Sequence, residues 1–355
     1  MNDLNRIKCM MYRAGTSKGA YFLDNDLPKN TEERHTLLLK IMGSPDIRQI
    51  DGIGGATSVT TKVAIISPSK RVGIDIDYKF IQVMVDQPIV DDKPTCGNIL
   101  TAVGVFALER GLVNIEEDET IVNIYDVNTG ATIAQTIKTP NRCITYKGDM
   151  QIAGVPGTAA PIDLFFKNIT GGKTGSYLPT KNVIDTFCGV EATCLDISMP
   201  VVFVRAQDVG VTGYETPEVL DSNKELFEKL EQIREEASQA MGLGSCKGNV
   251  IPKIAAVSKP KFDGDMNIRY FTPTTAHPAI AVSAGFCIAV GSFIKGTILN
   301  QINPQELTLG SHIVKIENPS GTTQVGVNFP SLDISQVEGM TTRTARLLFE
   351  GEVYV

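Results

Sequence analysis

Two stretches of this chain repeat one another in the same order, and that constrains the fold more than any other feature. Laying His277 on Cys96 makes residues 276–286 shadow 95–105, each an apolar helical run with a glycine (Gly104, Gly285) at the same depth. The same offset lays Ser198 on Ser17, and a slightly larger one lays Lys253 on Lys62, where 249–258 resembles 58–67. Between the Ser and Lys segments each half carries one helix signal. Asn30 precedes Thr31-Glu32-Glu33 and Gly43 follows Met42. Ser222 and Glu225 form a capping-box pattern before Leu226, Leu230, Ile233, Ala237 and Met241, and Gly242 ends that run. The order predicts an α+β chain of two similar domains. Residues 1–182 carry Ser17, Lys62 and Cys96; residues 183–355 carry Ser198, Lys253 and His277, while the last strand, 343–355, can join either.

A chain of 355 residues is long for one core and comfortable for two. The net charge of −7, with no Lys/Arg block, argues against nucleic acid as a partner. The longest apolar stretch, 278–294, is short for a bilayer span and rich in Ala, Gly and Ser, so no membrane association is expected. The N-terminal residues 1–8 lack a signal-peptide core. With that, an odd count of seven scattered cysteines predicts reduced thiols and a cytoplasmic protein. His35, His277 and His312 have no ligand spacing and no CxxC pair exists, so neither metal nor cofactor is expected. The sequence leaves a homo-oligomer open.

Strands are expected at 7–13, 20–24, 59–67, 119–126, 130–138 and 150–154, and alternation of Val72, Ile74, Ile76, Tyr78 and Phe80 predicts another. Cys96 stands before Gly97-Asn98 and the helical run Ile99, Val103, Phe106, Ala107 that Gly111 ends. A thiol at a helix N-terminus sits among unpaired N–H groups, a setting that favours thiolate. Such a group can be a nucleophile, proton carrier or redox thiol. Lys62 interrupts an apolar strand and can activate Cys96, hold a carboxylate or act as a base. Gly15-Thr16-Ser17-Lys18-Gly19 reads as a turn with free N–H groups and hydroxyls, an anion nest or a plain turn. Gly52-Ile53-Gly54-Gly55 lacks the dinucleotide spacing, and a strand follows it rather than a helix. His277, followed by Pro278, reads as opening the second helix and facing a cleft. Two helix N-termini across a domain cleft would then hold an acidic substrate with a weakly acidic C–H and stabilise its carbanion.

Several motifs occur together and in one order: 11–19, Asp51-Gly52-Ile53-Gly54-Gly55-Ala56, Lys62-Val63-Ala64, Thr95-Cys96-Gly97-Asn98, Gly154-Val155-Pro156-Gly157-Thr158 and Ala276-His277-Pro278. They resemble the PrpF-like isomerases, which act on methylaconitate, methylitaconate, oxalomesaconate and aconitate. The resemblance covers essentially the whole chain. It implies a diaminopimelate-epimerase-like fold, two domains that each wrap a curved, mostly antiparallel sheet around a central helix. It also implies proton transfer without a cofactor. Catalytic roles map by resemblance onto Cys96 and Lys62, with Ser17 and His277 in the site. The further substrate-binding positions expected are Thr16, Gly54, Gly55, Gly97, Asn98, Lys253 and Thr275. Epimerases of this fold oppose two cysteines; His277 takes the second place here, which argues against a symmetric two-thiol racemase. A second departure is Pro179-Thr180-Lys181, where relatives often carry Gly after the Thr.

The expected activity is therefore an allylic double-bond shift or cis–trans exchange in a small unsaturated di- or tricarboxylate, with aconitate or methylaconitate first. Methylitaconate and 4-oxalomesaconate are the alternatives. A two-base racemase, and a non-catalytic accessory protein bound to an aconitase-like dehydratase, are the rivals of other classes.

Overall fold

The computed structural model describes residues 4–152, 154–273 and 275–355. It divides into two compact units, Met1–Phe166 with Thr342–Val355, and Lys167–Thr341. The first boundary thus falls before residue 182, and the last strand belongs with the first unit.

In the first unit the strands are β1 (Arg6–Ala14), β2 (Ser17–Leu23), β3 (Lys62–Pro68), β4 (Ile76–Val83), β5 (Val90–Asp91), β6 (Asp118–Asp126), β7 (Thr132–Thr139) and β8 (Ile162–Lys167). Its helices are α1 (Thr31–Met42), α2 (Gly97–Leu100) and α3 (Val103–Glu109). The second unit holds β9 (Asp185–Phe187), β10 (Val190–Ile197), β11 (Met199–Arg205), α4 (Pro217–Asp221), α5 (Lys224–Ala240), β12 (Lys253–Ser258), β13 (Met266–Phe271), α6 (Val282–Phe293), α7 (Ile298–Ile302), β14 (Gly310–Asn318) and β15 (Gly321–Phe329), and the unit boundary falls within β16 (Glu338–Arg343), before Thr342. The closing strand, β17 (Ala345–Tyr354), pairs antiparallel with β1, with Ala14 opposite Ala345.

The repeat is visible in the ladders. β1, β2, β3 and β4 lie side by side with only β2–β3 parallel, and β4 continues parallel to β6 and then antiparallel to β7. β10, β11, β12 and β13 copy this arrangement, with β11–β12 and β13–β14 the parallel pairs and β15 closing antiparallel on β14. Strand alternation sorts the first unit's side chains onto two faces. Tyr12, Ala14, Tyr21, Ala64, Tyr78 and Phe80 share one cluster with Ile99, Val103 and Phe106 of α2 and α3. Cys9, Met11, Phe22, Val63, Ile65 and Ile81 pack on the other face with Leu38, Ile41 and Met42 of α1. Residues 103–108 of α3 and 284–293 of α6 are all buried, so an apolar helix is enclosed in each unit. Such helices cannot exist apart from the sheet that covers them.

Capping follows the sequence at α1, where Asn30 accepts the Glu33 N–H and Gly43 closes the helix in the left-handed conformation. It departs elsewhere. The cap of α5 is Asn223, which accepts the Leu226 N–H, because Ser222 ends α4 and its hydroxyl donates to the Val219 carbonyl. The alternating segment at Val72 does not start a strand. Ser69 N–H bonds to the Asp75 carbonyl around a turn with Gly73 at φ 74°, Val72 is fully exposed, and β4 begins at Ile76. The strand expected at 150–154 includes Ala153, which lies outside the described residues; Met150 makes an isolated bridge with Ala159. All seven cysteines are free. Among the described residues no helix is long and apolar enough to cross a membrane.

Candidate active site

Cys96 is the N-cap of α2, in extended conformation (φ −142°, ψ 106°) and half-buried. The first backbone bond of the helix runs from the Leu100 N–H to the Cys96 carbonyl at 2.9 Å, so the N–H groups of Gly97, Asn98 and Ile99 precede it. The carbonyl side of this turn is held from below. Tyr78 OH donates to the Cys96 carbonyl at 3.3 Å and Tyr21 OH donates to the Ile99 carbonyl. Burial, with the Cys96 sulfur close by, pushes both phenols well above their ordinary pKa and keeps them donors. A Cβ on Gly97 would meet nothing within 4 Å, so the space beside the first residue of the helix is open. The helix lasts one turn before it re-forms as α3, with Thr101 and Ala102 between.

The segment leading to Cys96 is pinned as well. Thr95 Oγ1 donates to Asp126 Oδ2. Asn128 donates to the Asp92 carbonyl at 2.7 Å and exchanges bonds with the backbone of Phe80. Asn98 ties the helix to the β1–β2 turn: its Nδ2 donates to Thr16 Oγ1 at 3.0 Å and its Oδ1 accepts the Thr16 N–H at 3.4 Å. Gly15 has φ +52°, and a Cβ there would collide with the Asn98 amide. That position therefore requires glycine twice over. A Cβ on Gly154 would lie 3.5 Å from the Thr16 methyl, which brings the 154–158 motif to the same turn.

Ser17 follows. It is 3 % exposed, and its Oγ has no hydrogen-bond partner among the described residues. Strand parity puts Ser17, Gly19 and Tyr21 on the α2 face. Gly19 stands level with Lys62, the first residue of β3, and Lys62 in turn stands opposite Gln82 of β4. Parity places Lys62, Ala64, Phe80 and Gln82 on that same face. Lys62 Nζ donates to Gln82 Oε1 at 2.9 Å and lies 5.1 Å from the centre of the Phe80 ring. Gln82 is itself fixed, with Nε2 donating to the carbonyls of Thr61 (2.9 Å) and Ser58 (3.2 Å). A Cβ on Gly19 would touch both the Lys62 carbonyl and the Ile99 methyl at 2.8 Å, so the first turn of α2 lies directly over the start of β2 and β3.

The glycine loop packs against α1 rather than around a nucleotide. Ile53 and Gly54 N–H groups donate to the Ile41 and Met42 carbonyls at 2.9 and 3.2 Å. Gly54 is thus committed as a donor and contributes shape. Buried Gln49 (φ 49°) accepts the Ala56 N–H at 2.7 Å and the Thr61 hydroxyl at 2.9 Å, bracing the loop from inside. A Cβ on Gly55 would lie 3.2 Å from Lys18 Nζ, which sets a second ammonium at this loop.

The second unit repeats the frame with different chemistry. Lys253 begins β12 as Lys62 begins β3. Burial and the nearby Arg234 hold its pKa below the ordinary lysine value. Ser198 is the left-handed turn residue (φ 63°) between β10 and β11. The first residue of β11 is Met199, whose sulfur accepts Tyr270 OH (3.4 Å) and Ser283 OH (3.2 Å). Where the first unit leaves a hydroxyl unpartnered, the second fills the place with a thioether. His277 does not open a helix, contrary to the pattern in the sequence. α6 begins at Val282 with Ala281 as its cap. The His277 N–H pairs back to the Tyr270 carbonyl at 2.8 Å, and its Nδ1 accepts the Ala279 N–H at 2.9 Å. Pro278 disfavours helical backbone at His277, and these bonds stand where a helix start was expected. With Nδ1 an acceptor, the neutral ring carries its proton on Nε2. Thr275 pairs with Thr272 through both hydroxyls at 2.8 Å.

Gln82, Lys18 and Gln49 were not apparent as site residues in the sequence. Gln82 alone carried a signal: it is the polar member that ends the alternation Ile76, Tyr78, Phe80.

Comparison with known proteins agrees with this frame over its full length. The family described as PrpF protein matches residues 4–355. The 4-oxalomesaconate tautomerase of Pseudomonas putida is 44 % identical, covering 99 % of this chain and 96 % of its own. The (4E)-oxalomesaconate Delta-isomerase of Novosphingobium sp. is 43 % identical, covering 99 % and 98 %. A crystal structure of methylitaconate-delta-isomerase superposes with a TM-score of 0.88 at 37 % identity, over 100 % of this chain and 96 % of the other. The fold is accordingly the α+β, diaminopimelate-epimerase-like one that the motifs implied, and the chain belongs to the PrpF family as one of its isomerases.

Proposed function

We propose that this isomerase moves a double bond in a small unsaturated di- or tricarboxylate by allylic proton transfer, with aconitate or methylaconitate as substrate. A base removes a proton from the allylic carbon that bears a carboxylate next to the double bond. The electron pair delocalises over the allylic system, and a proton returns at the far carbon. Rotation before return gives cis–trans exchange. Cys96 is assigned as proton carrier, with Lys62 as the second acid–base group or as the cation facing the developing charge. Thr16, Ser17, Gly97, Asn98 and the Gly55 loop are assigned to substrate carboxylates.

The observation that carries this reading is the buried Ser17 hydroxyl without a protein partner, on the sheet face and strand end that hold Lys62. A buried polar group is normally satisfied, and one left open beside an ammonium suits an anionic oxygen. A second reading, 4-oxalomesaconate as substrate, is favoured by the 43–44 % identity to two proteins named for that acid. Proton NMR of the purified protein with each acid in deuterated water tests both. Deuterium entering carbon of aconitate or methylaconitate is expected; exchange confined to oxalomesaconate would select the second reading, and exchange in none would overturn both.

A further inference from the structure

Several partly buried cations in the first unit are matched by acids: Arg34 with Asp24, Lys79 with Asp92, Arg110 with Glu350. Arg343 is not. Among the described residues it has no ion pair, and its one hydrogen bond runs from Nη1 to the Thr342 carbonyl at 3.0 Å. It is half-buried, and that burial pulls its pKa below the ordinary guanidinium value with no acid offsetting it. Asp163, the acid one residue away, is taken by the Thr342 hydroxyl.

Its place in the fold is fixed by its neighbours. Thr344 accepts the Gly15 N–H on its carbonyl at 3.0 Å and the Arg13 guanidinium on its hydroxyl at 2.7 Å. Residues 343–345 therefore run alongside the β1–β2 turn that presents Thr16 and Ser17. Ala345 lies opposite Ala14, and both belong to the cluster on the α2 face. Arg343 ends β16 two positions before Ala345, and the Thr344 between them is tied to Gly15 and Arg13, which keeps Arg343 next to that turn. A half-buried guanidinium, with most of its five donors unused by protein groups among the described residues, thus stands beside the turn that presents the buried Ser17 hydroxyl. An Arg fork matches a carboxylate in two-point geometry.

We infer that Arg343 binds one carboxylate of the substrate and sets the site's preference for acids with three carboxylates over acids with two. This rests on the proposed polycarboxylate isomerase reading. The probes are two inert acids, propane-1,2,3-tricarboxylate and glutarate, titrated calorimetrically into wild type, R343Q and R343K. Wild type should bind the tricarboxylate at least ~10-fold more tightly than glutarate. R343Q should weaken tricarboxylate binding by about 30-fold and bring the two acids within about 3-fold of each other. R343K should fall between, since it keeps charge but loses the fork. In turnover, KM should rise while kcat stays within about 3-fold, the signature of a lost uniform binding contact. Unchanged melting temperatures show that the variants fold. Wild-type turnover with unaltered R343Q affinity would overturn this assignment alone. No binding and no turnover by wild type would overturn the functional reading, and this assignment with it.

Discussion

Replacing Ser17 by Ala should make the protein more stable and less active. The hydroxyl is buried to 3 % exposure and has no partner among the described residues, so its removal breaks no bond with them. An unsatisfied buried hydroxyl costs ~1–3 kcal/mol. Loss of one oxygen's van der Waals contacts returns a few tenths of that, at ~0.1–0.2 kcal/mol per atom pair. The net expectation is a gain of ~1 kcal/mol, seen as a rise of about 2–4 °C in melting temperature. Activity should move the other way. If the hydroxyl donates to a substrate carboxylate, a bond to a charged group worth ~1.5–3 kcal/mol is lost, and kcat/KM falls about 10- to 100-fold. The assay pairs urea unfolding with initial rates on the acid that exchanges deuterium. A variant destabilised by ~1 kcal/mol or more would mean that the hydroxyl has a partner in the fold. Full activity with any stability would remove Ser17 from the site.

Gln82→Leu should lower kcat by about 10-fold or more while KM stays within about 3-fold, because Lys62 Nζ loses the acceptor that fixes it. Gln82→Glu keeps an acceptor and should recover part of the rate; equal loss in both variants would assign Gln82 to the fold alone. Lys253→Met should raise the melting temperature at neutral pH. The folded-state pKa of Lys253 lies below its ordinary value, so its charged form opposes folding at low and neutral pH. That penalty fades as pH rises from the depressed folded value toward about 10.5, and the stability gain of the Met variant should fade with it. A pH-independent gain would show that packing, not charge, is responsible. Tricarboxylate should slow alkylation of Cys96 and leave exposed Cys143 unaffected, whereas Cys9, buried and pushed up to about 12, should not react near neutral pH. Equal protection of Cys96 and Cys143 in peptide mapping would count against a ligand at the α2 N-terminus.

What the sequence made legible was what short-range pattern encodes. The duplication showed because each half repeats the same apolar strands and the same enclosed helix, and the ladders repeat with the same two parallel pairs. Cys96 was legible because an N-cap followed by glycine and a helical period is a local signal. His277-Pro278 misled for the same reason: proline at a helix start is a good local rule, but tertiary pairing of His277 with Tyr270 overrode it and moved the helix start to Val282. Gln82, Asn128 and Arg343 were illegible as partners because their roles depend on register across the sheet. Gln82 meets Lys62 only because β3 and β4 pair with those residues opposed. Arg343 comes beside the Gly15 turn only because β17 returns to β1. The Ser17 hydroxyl could be read as an anion contact or a turn residue from sequence; the absence of any partner for it is a fact of packing.

The central claim is that carbon-bound protons leave and return through Cys96 and Lys62. Deuterium incorporation at carbon, measured by proton NMR side by side for wild type, Cys96→Ala and Lys62→Ala, tests it most directly. Exchange should be rapid in wild type and reduced by at least ~100-fold in the Cys96 variant, with a comparable or smaller loss in the Lys62 variant. Wild-type rates of exchange in both variants would contradict the account.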